Sequence, residues 1–553
     1  MRLFAAIALI GSIALAQDPA TTQDAPSGRH LIDQEVLAKW KEAGIKPSGR
    51  ADDAEFLRRV YLDLAGTTPS LEEAEKFLAD RAMYKRSKVI DELLSSEKHH
   101  EYWGWVWANT VVGHESDRSE QAITAVFKDF KEMFAKNAPL DEIARTVITA
   151  KGQTNTEGKG KKDGMMMEED ATGFPLFYFA VQRTAGRDFP LILANKFSKT
   201  FLGTQISCAQ CHDHPFDKWT QEDFYGMAAF FTEVYVKRLQ EGDKTYGYEV
   251  GDRAPGKGGR RAAGPLMVPG TQKRIGPSWL DTKEAPKGDK SLREEFVRML
   301  TSRSNTQFAR AGVNRVWAYL MGRGIVNPPD DFNGKNKPSH PALMEALAAD
   351  FAAHTYDLRW LIKEICNSQA YQQSSRTKER TTEMEKLYAV GAVRALAPEQ
   401  IINSLLTAGL TDPSKITFQQ RGQLLRQFRF AFPDDEGVEL NEFQGTIAGA
   451  LMMMNGDVIA QATGSAPQGK RPMDRPAKRP QMKGNAATRL GSILQNVRGD
   501  DERIRAIFVS VLTRAPNSKE MQRYMAHVRG AGEDGFEDVM WALLNCSEFM
   551  FQH

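Results

Sequence analysis

Residues 56–66 read FLRRVYLDLAG, and this stretch sets the expected fold class. Its apolar side chains recur at intervals of three and four residues, at Leu57, Val60, Tyr61 and Leu64. That spacing places them on one side of an α-helix, where they can pack against a core. Helical periodicity runs from residue 31 to 150 and returns after residue 291. The sequence therefore predicts a mainly α protein.

Local signals outside this stretch predict individual elements. Ser70 with Glu73, and Thr220 with Asp223, have the spacing of capping boxes that begin helices. A helix is predicted over residues 189–202, and the alternation in residues 235–250 predicts a short β-hairpin around Gly242. Three tryptophans are assigned to core packing: Trp103, Trp105 and Trp107.

Composition excludes several classes of protein. The 553 residues are 41% hydrophobic and 26% charged, which is too apolar for a mostly disordered chain. Four cysteines are too few for a disulfide-dense scaffold. The 73 lysines and arginines nearly balance 71 acids, so nothing indicates a nucleic-acid partner.

The N-terminus predicts export. Met1 and Arg2 precede the apolar run LFAAIALIGSIALA at residues 3–16, which ends in an A-x-A site. These are the parts of a Sec-type signal peptide, with cleavage expected after Ala16. The run is shorter than the roughly 20 residues of a membrane-spanning helix. No later uninterrupted apolar segment reaches that length either. We therefore expect a periplasmic or secreted protein with no membrane span.

Composition shifts divide the chain into segments. Residues 252–290 are rich in Gly, Pro and basic side chains, as is the stretch at 464–484. Both are predicted as long irregular linkers, although clustered Lys and Arg could also bind an anionic polysaccharide. The predicted organisation is a signal peptide at 1–16, a helical domain at 30–250, a basic linker at 251–290, and a second helical domain at 291–553 with an insertion at 464–484.

The chemistry is expected at residues 208–217, which read CAQCHDHPFD. C-x-x-C-H is the attachment signature of c-type haem. Cys208 and Cys211 would each add to a vinyl group of one covalent haem, and His212 would bind the iron as proximal ligand. Cytochrome c maturation takes place outside the cytoplasm, which agrees with the export signal.

Two alternatives remain open for the same residues. Thiolate, imidazole and carboxylate groups suit zinc or iron, so the cysteines and His212 could form a metal site with Asp213, His214 and Asp217. Cys208 and Cys211 could instead form a small structural disulfide. Haem requires an apolar cavity above His212. The residues considered for its distal side are Met165, Met166, Met167, Met227, His99, His100 and His114.

The rest of the chain contains no H-E-x-x-H, G-x-S-x-G, P-loop, dinucleotide-binding or EF-hand pattern, so no enzymatic activity is assigned. Asp330 and Asp331 are predicted to lie in a solvated turn. Cys366 and Cys546 could form one long-range disulfide or remain buried thiols.

Several segments resemble a known family. In the first half these are FLRRVYLDLAG (56–66), TPS (68–70), FLG (201–203), CAQCHDHPFD (208–217), QEDF (221–224) and AAFF (228–231). In the second half they are NRVW (314–317), GRGIV (322–326), DDF (330–332), PSHP (338–341), YDL (356–358) and the end of the chain from residue 544. The chain resembles a planctomycete-type secreted, cytochrome-like two-domain family of uncharacterised proteins, in which domain of unknown function 1549 is followed by domain of unknown function 1553.

The resemblance implies a cytochrome-like first domain, named for its C-x-x-C-H motif. Many members carry an additional N-terminal cytochrome-type domain that is not found in this sequence, so a separate redox partner is expected. The leading hypothesis is an exported c-type haem-binding redox or electron-transfer protein. The alternatives are an extracytoplasmic metal-dependent enzyme acting on carbohydrate, and a non-catalytic surface module with a structural C-x-x-C disulfide.

Overall fold

The structure is a computed structural model that describes residues 27–113, 119–154, 173–214, 217–241, 244–253, 265–287, 290–416 and 488–553, with a few positions between 420 and 453. The predicted signal peptide, the methionines at 165–167, His114 and the insertion at 464–484 lie outside these residues. Elements are numbered over the described residues alone.

Helices dominate the described residues. The first ten are α1 (Ser27–Glu42), α2 (Asp53–Ala65), α3 (Leu71–Ala79), α4 (Lys85–Leu94), α5 (Glu97–Val112), α6 (Ser119–Ala135), α7 (Leu140–Ile148), α8 (Phe174–Ala185), α9 (Phe189–Leu202) and α10 (Gln221–Ala228). Helices α5 and α6 pack along their lengths, and α2 crosses α5. The predicted mainly α class is therefore confirmed.

The second half of the chain is also helical. It contains α11 (Leu292–Leu300), α12 (Thr306–Met321), α13 (Pro341–Ala353), α14 (Leu358–Asn367), α15 (Thr382–Lys386), α16 (Pro398–Gly409), α17 (Arg489–Asn496), α18 (Asp500–Leu512), α19 (Ser518–Ala531), α20 (Asp534–Leu544) and α21 (Ser547–Met550).

The strands form small antiparallel sheets. They are β1 (Gly152–Gln153), β2 (Val234–Glu241), β3 (Lys244–Asp252), β4 (Leu266–Met267), β5 (Arg274–Ile275), β6 (Arg394–Ala395) and β7 (Phe551–Gln552). β2 and β3 form the predicted hairpin, with Val236 opposite Val250, and β1 pairs with the other edge of β3. β6 pairs with β7, so the chain returns at its end to residue 394.

Local sequence signals fixed several helix boundaries correctly. Helix α9 has the predicted bounds. The Ser70 hydroxyl accepts the Glu73 amide, and the Glu73 carboxylate accepts the Ser70 amide at 2.8 Å. Thr220 and Asp223 make the same reciprocal pair at the start of α10. These signals act within one helical turn, so they do not depend on tertiary packing.

All three tryptophans pack in or against the core, as predicted. Trp103 and Trp107 are buried in the core. Trp105 is only half-buried. Its ring stacks on Phe127 with centroids 4.3 Å apart, and it also lines a cavity described below. Trp105 therefore packs against the edge of the core, as predicted.

Helix α2 begins and ends at specific backbone signals. The Asp52 carboxylate accepts the Glu55 amide at 2.8 Å and caps the first turn. Gly66 ends the helix with φ of 62° in the left-handed region. A Cβ atom at this position would lie 2.1 Å from the Tyr102 ring. Glycine is therefore required both by the backbone conformation and by the approach of α5.

Helix α2 is buried on every side rather than on one face. All residues from Glu55 to Ala65 are buried, including Arg58, Arg59 and Asp63. The periodicity had identified only the apolar side at Leu57, Val60 and Leu64. The polar side chains are buried because they bind residues from the second half of the chain, and buried polar groups require such partners.

Each buried polar side chain of α2 reaches a distant segment. Arg58 donates to the carbonyl oxygens of Phe549 at 2.8 Å and Val511 at 3.2 Å. Asp63 forms an ion pair with Arg394 and accepts hydrogen bonds from the Tyr371 hydroxyl at 2.6 Å and the Gln552 amide at 2.9 Å. Residues from both halves of the chain belong to one hydrophobic core.

Part of the predicted linker packs against this core. Within the described residues 265–287, Val268, Trp279 and Leu280 are buried. The Trp279 ring meets Phe296 of α11 edge to face, with centroids 5.3 Å apart. Among the described residues, none of the helices has the length and apolar character needed to cross a bilayer.

Candidate functional site

The C-x-x-C-H segment follows directly from the end of α9. Gly203 ends that helix with φ of 60°, and a Cβ atom there would lie 2.7 Å from the Phe332 ring. The Phe332 amide donates to the Gly203 carbonyl oxygen at 2.8 Å. The Gln205 side chain donates to Asp330 at 3.2 Å, and Asp330 also pairs with Lys199. The entry to the motif is therefore held by the second half of the chain.

Asp330 and Asp331 were predicted in a solvated turn. The turn is confirmed, but Asp330 is largely shielded from solvent. Its side chain is only 15% exposed. Asp331 accepts the Asn336 side chain at 2.8 Å. Sequence reasoning missed this contact surface for α9, because residues 199 and 330 are brought together only by the tertiary fold.

The two cysteines lie on the same side of a tight turn. Residues Ser207–Gln210 form a 3₁₀ helix, and Cys211 continues it with helical backbone angles. A 3₁₀ helix has three residues per turn, so side chains at i and i+3 lie above one another. Cys208 and Cys211 are both exposed free thiols, while Ala209 between them is buried. The buried alanine anchors the turn and directs both thiols outward.

His212 has one ring nitrogen bound and the other available. Its Nδ1 atom lies 2.7 Å from the carbonyl oxygen of Asp213. A carbonyl oxygen can only accept, so the neutral ring carries its proton on Nδ1 and keeps a lone pair on Nε2. The imidazole is exposed, and no described residue forms a hydrogen bond with Nε2. This is the arrangement in which histidine binds a metal through Nε2.

The first turn of α10 holds the segment after the motif. The Asp213 carboxylate accepts the Gln221 amide at 3.0 Å, and the Gln221 side chain donates to the Gln210 carbonyl oxygen at 3.3 Å. The His214 amide donates to the Trp219 carbonyl oxygen at 2.7 Å, and Trp219 is buried. A carboxylate at a helix N-terminus is favoured by the helix dipole. These contacts fix the backbone around His212.

Tyr225 lies behind the motif on α10. Its side chain is buried, and burial together with the nearby Cys211 and Asp188 raises the pKa of the phenol. Tyr225 therefore stays neutral next to the thiols. Sequence reasoning did not select this residue.

The alternative metal ligands do not converge. Asp213 is bound to α10, and the Asp217 carboxylate accepts the Lys218 amide at 2.8 Å. Within the described residues, no group of three or more His, Cys, Asp or Glu side chains is arranged to hold a metal ion. His214, Asp213 and Asp217 are thus near the cysteines in sequence without forming a shared site with them.

The candidates for a distal haem ligand are equally dispersed. Met227 is fully buried in α10. His99 is buried beside Trp103, with its Nδ1 atom 2.9 Å from the Leu64 carbonyl oxygen. Its neighbour His100 is partly buried, with its ring centroid 6.1 Å from that of His99. The other candidates lie outside the described residues.

The remaining cysteines are unpaired thiols. Cys366 is fully buried in α14, and Cys546 is partly buried before α21. Of the two predicted outcomes, the structure therefore shows buried thiols rather than a long-range disulfide.

A well-formed cavity lies elsewhere. It has a volume of about 390 Å³ and is lined by residues of α5 and α16, by the segment after α2, and by residues 411–414, 421, 422 and 425. A second cavity beside Arg59 and Arg394 holds only about 10 Å³. Neither is lined by residues 207–214. A porphyrin at the cysteines would therefore lie in neither cavity, and neither is the apolar cavity that haem requires above His212.

The fold and the site define a class: a mainly α protein with an exposed C-x-x-C-H turn. Residues 330–332 bind the chain before the turn, and the first turn of α10 binds the chain after it. Residues 31–235 match the family described as Protein of unknown function (DUF1549), PSCyt2. Residues 292–417 match Protein of unknown function (DUF1553), PSD1. The chain therefore belongs to the family in which these two domains occur in this order. No curated protein and no solved structure matches the chain.

Proposed function

We propose that this protein is an exported c-type haem-binding protein that acts in electron transfer. The observation that carries the proposal is the orientation of His212, whose Nδ1 is bound to a backbone carbonyl and whose Nε2 is available. A proximal haem ligand needs that tautomer. The export of the protein rests on the apolar run at residues 3–16.

The cysteine geometry supports the same proposal. Each thiol would add across one vinyl group, with its sulfur bonding to one carbon and its hydrogen passing to the other. Two thiols on one side of a turn can reach one porphyrin, and both are exposed and unpaired. Cys208, Cys211 and His212 therefore supply the groups that attachment of one haem uses, although neither described cavity provides the apolar pocket that haem requires above His212.

The surrounding residues would orient this group. The Asp213 carbonyl oxygen fixes the imidazole, and the contacts of Asp213 with α10 fix that carbonyl. Bound haem supplies one-electron transfer at its iron. The exposed position of the motif favours electron exchange with a separate redox partner, because the cofactor edge would be accessible to it.

The test is expression of the full chain in a host that matures haem c. We expect a Soret band that remains with the protein after denaturation and acid extraction. The Cys208→Ser/Cys211→Ser double variant should lose covalent haem completely. Cys546→Ser is the matched control, because Cys546 is a free thiol outside the motif, and it should retain haem.

Two outcomes would contradict the proposal. Protein without covalent haem but with stoichiometric zinc or iron would support the metal-dependent alternative. Protein with neither, and with Cys208 and Cys211 oxidised to a disulfide, would support the non-catalytic surface module.

A further inference from the structure

The cavity between α5 and α16 has an aromatic wall and an aliphatic wall. Helix α5 contributes Tyr102 and Trp105, which are three residues apart and therefore on the same face. Helix α16 contributes Ile402 and Leu406, one turn apart. The volume of about 390 Å³ lies in the range of small-molecule sites. The walls therefore suit a ligand with an apolar body.

The Trp105 ring is held in place by a stack. It lies nearly parallel to the ring of Phe127 on α6, with centroids 4.3 Å apart and an interplanar angle of 20°. One face of the indole is thus covered by the protein, while the residue is only half-buried and lines the cavity. An indole fixed in this way offers a flat surface on which another aromatic ring can pack.

The charged residues at the cavity already have partners. Four of the five carboxylates that line it pair with a cation, and all three lining cations pair with a carboxylate. The pairs are Glu72–Arg489, Glu97–Lys131, Glu101–Arg421, Asp412–Lys415 and Glu73–Lys98. The fifth carboxylate, Glu399, is buried and already interacts within the fold. A charged ligand would therefore have to displace one of these interactions, or lose its hydration without a new ion pair.

The uncharged polar side chains of the cavity leave a hydrogen-bond acceptor open. The hydroxyl groups of Thr67 and Thr407 bind each other, with their oxygen atoms 2.9 Å apart. The Asn403 side chain donates through Nδ2 to the Gly66 carbonyl oxygen at 3.2 Å. Among the described residues, none donates to its Oδ1 atom, and an amide oxygen can accept two hydrogen bonds. Asn403 can therefore accept a hydrogen bond from a ligand hydroxyl.

We infer that this cavity binds a small uncharged aromatic alcohol. The ring of the alcohol would pack against Trp105 and the aliphatic wall of α16, and its hydroxyl would donate to Asn403 Oδ1. The paired charges around the cavity disfavour a cation or an anion of the same shape. The site is separate from the cysteine motif and does not depend on the proposed haem.

The test compares three ligands of the same shape by isothermal titration calorimetry with the full chain near neutral pH. Cinnamyl alcohol is the uncharged ligand, cinnamylammonium the cation and cinnamate the anion. We expect the alcohol to bind at least about tenfold more tightly than either ion, because burial of an ion without a new partner is unfavourable.

The hydroxyl contact is tested with a fourth ligand, cinnamyl methyl ether, which cannot donate a hydrogen bond. Asn403→Ala should weaken binding of the alcohol about fivefold more than binding of the ether, because only the alcohol can donate to Oδ1. The comparison of two ligands cancels any change in cavity volume that affects both. Asn496→Ala, at an exposed position of α17, is the control and should change the binding of neither ligand.

A second variant locates the binding at this cavity. Trp105→Leu removes the indole and keeps an apolar side chain, and Trp541→Leu makes the same change at an exposed position of α20. We expect Trp105→Leu to weaken binding of cinnamyl alcohol by about fivefold, because the stacking surface is lost. Trp541→Leu should leave it unchanged.

The inference fails if cinnamyl alcohol does not bind, if either ion binds as tightly, or if Trp105→Leu and Trp541→Leu bind the alcohol equally. Equal effects of Asn403→Ala on the alcohol and the ether would overturn the hydroxyl contact, and with it an alcohol as the ligand class. Thermal melting of every variant confirms that a loss of binding is not a loss of folding. A haem-free protein that still binds cinnamyl alcohol would leave this inference intact while contradicting the proposed function.

Discussion

His99 illustrates how a single side chain can make stability depend on pH. Its imidazole is buried between the rings of Trp103 and Phe134, with one nitrogen bound to the Leu64 carbonyl oxygen. Burial, with a smaller contribution from the nearby His100, lowers the pKa of His99 from 6.5 to about 3, against the opposing effect of the Leu64 hydrogen bond. The folded protein therefore keeps this imidazole neutral.

We expect the free energy of unfolding to fall as pH decreases from about 6.5 towards 3. In that window the unfolded chain binds a proton at residue 99 and the folded chain does not, so acid favours unfolding by up to about 1.4 kcal/mol per pH unit at this site. His99→Gln should reduce this slope in urea titrations at several pH values.

His340 and His553 also have pKa values lowered to about 4 by burial, so part of the slope should persist in His99→Gln. Equal slopes in His99→Gln and the unsubstituted protein would show that His99 does not contribute.

The end of α9 is the element that connects the motif to the rest of the fold. The left-handed backbone at Gly203 turns the chain out of the helix, and Phe332 packs against the glycine where a side chain would otherwise be. The Phe332 amide donates to the Gly203 carbonyl oxygen, and the Asp330 carboxylate accepts from the Gln205 side chain. Any displacement at this point would move the cysteine turn, which begins four residues later.

Gly203→Ala should destabilise the protein more than Gly44→Ala. Both glycines have positive φ, 60° and 63°, so each alanine has a backbone cost of about 1–2 kcal/mol. No atom lies near a Cβ at residue 44, whereas one at residue 203 would lie 2.7 Å from Phe332. We expect an additional loss of about 1–3 kcal/mol for Gly203→Ala from overpacking, measured by urea unfolding.

Phe332→Leu provides the control for this difference. In the Gly203→Ala/Phe332→Leu double variant the smaller side chain should relieve part of the clash, so the two effects should be less than additive. Strict additivity would mean that Phe332 is not the obstacle.

The sequence predicts features that depend on neighbouring residues, and it does not predict contacts between distant segments. The capping boxes at Ser70 and Thr220 and the helix Phe189–Leu202 were predicted because their signals lie within one or two turns. The contact of Gly203 with Phe332 was not, because those residues are far apart in sequence and meet only after folding. The same holds for the cavity, whose walls come from α5 and α16.

On the scale of the whole molecule, α2 connects the two halves of the chain. Its buried Asp63 binds Arg394, Tyr371 and Gln552, and Arg58 binds the backbone near α21. Burial raises the pKa of Asp63, while Arg394 and the hydrogen bonds to Tyr371 and Gln552 oppose this effect. Breaking one partner of such a network leaves buried charge uncompensated, which is strongly destabilising.

We therefore expect Gln552→Ala to lower the free energy of unfolding by about 3 kcal/mol. Gln552 donates to Asp63 at 2.9 Å and accepts from Arg394 at 2.8 Å, and hydrogen bonds to charged groups contribute about 1.5–3 kcal/mol each. Gln522→Ala, at an exposed position of α19, is the control and should have almost no effect.

Differential scanning calorimetry gives the second measurement. Because α2 contacts both halves, Gln552→Ala should shift the unfolding of residues in the first half as well as the second. Two separate transitions, only one of which moves, would contradict the role assigned to α2.

The sequence by itself determined the helical class, the helix boundaries with local caps, the hairpin and the position of the C-x-x-C-H turn. All of these depend on side chains within a few residues of each other, where backbone geometry alone sets which groups meet. Only the tertiary structure decided that α2 is buried on every side, that Asp330 and Phe332 hold the entry to the motif, and that Trp105 lines a cavity. These features join residues more than 100 positions apart, and a buried polar side chain reveals its partner only once the chain has brought the two together.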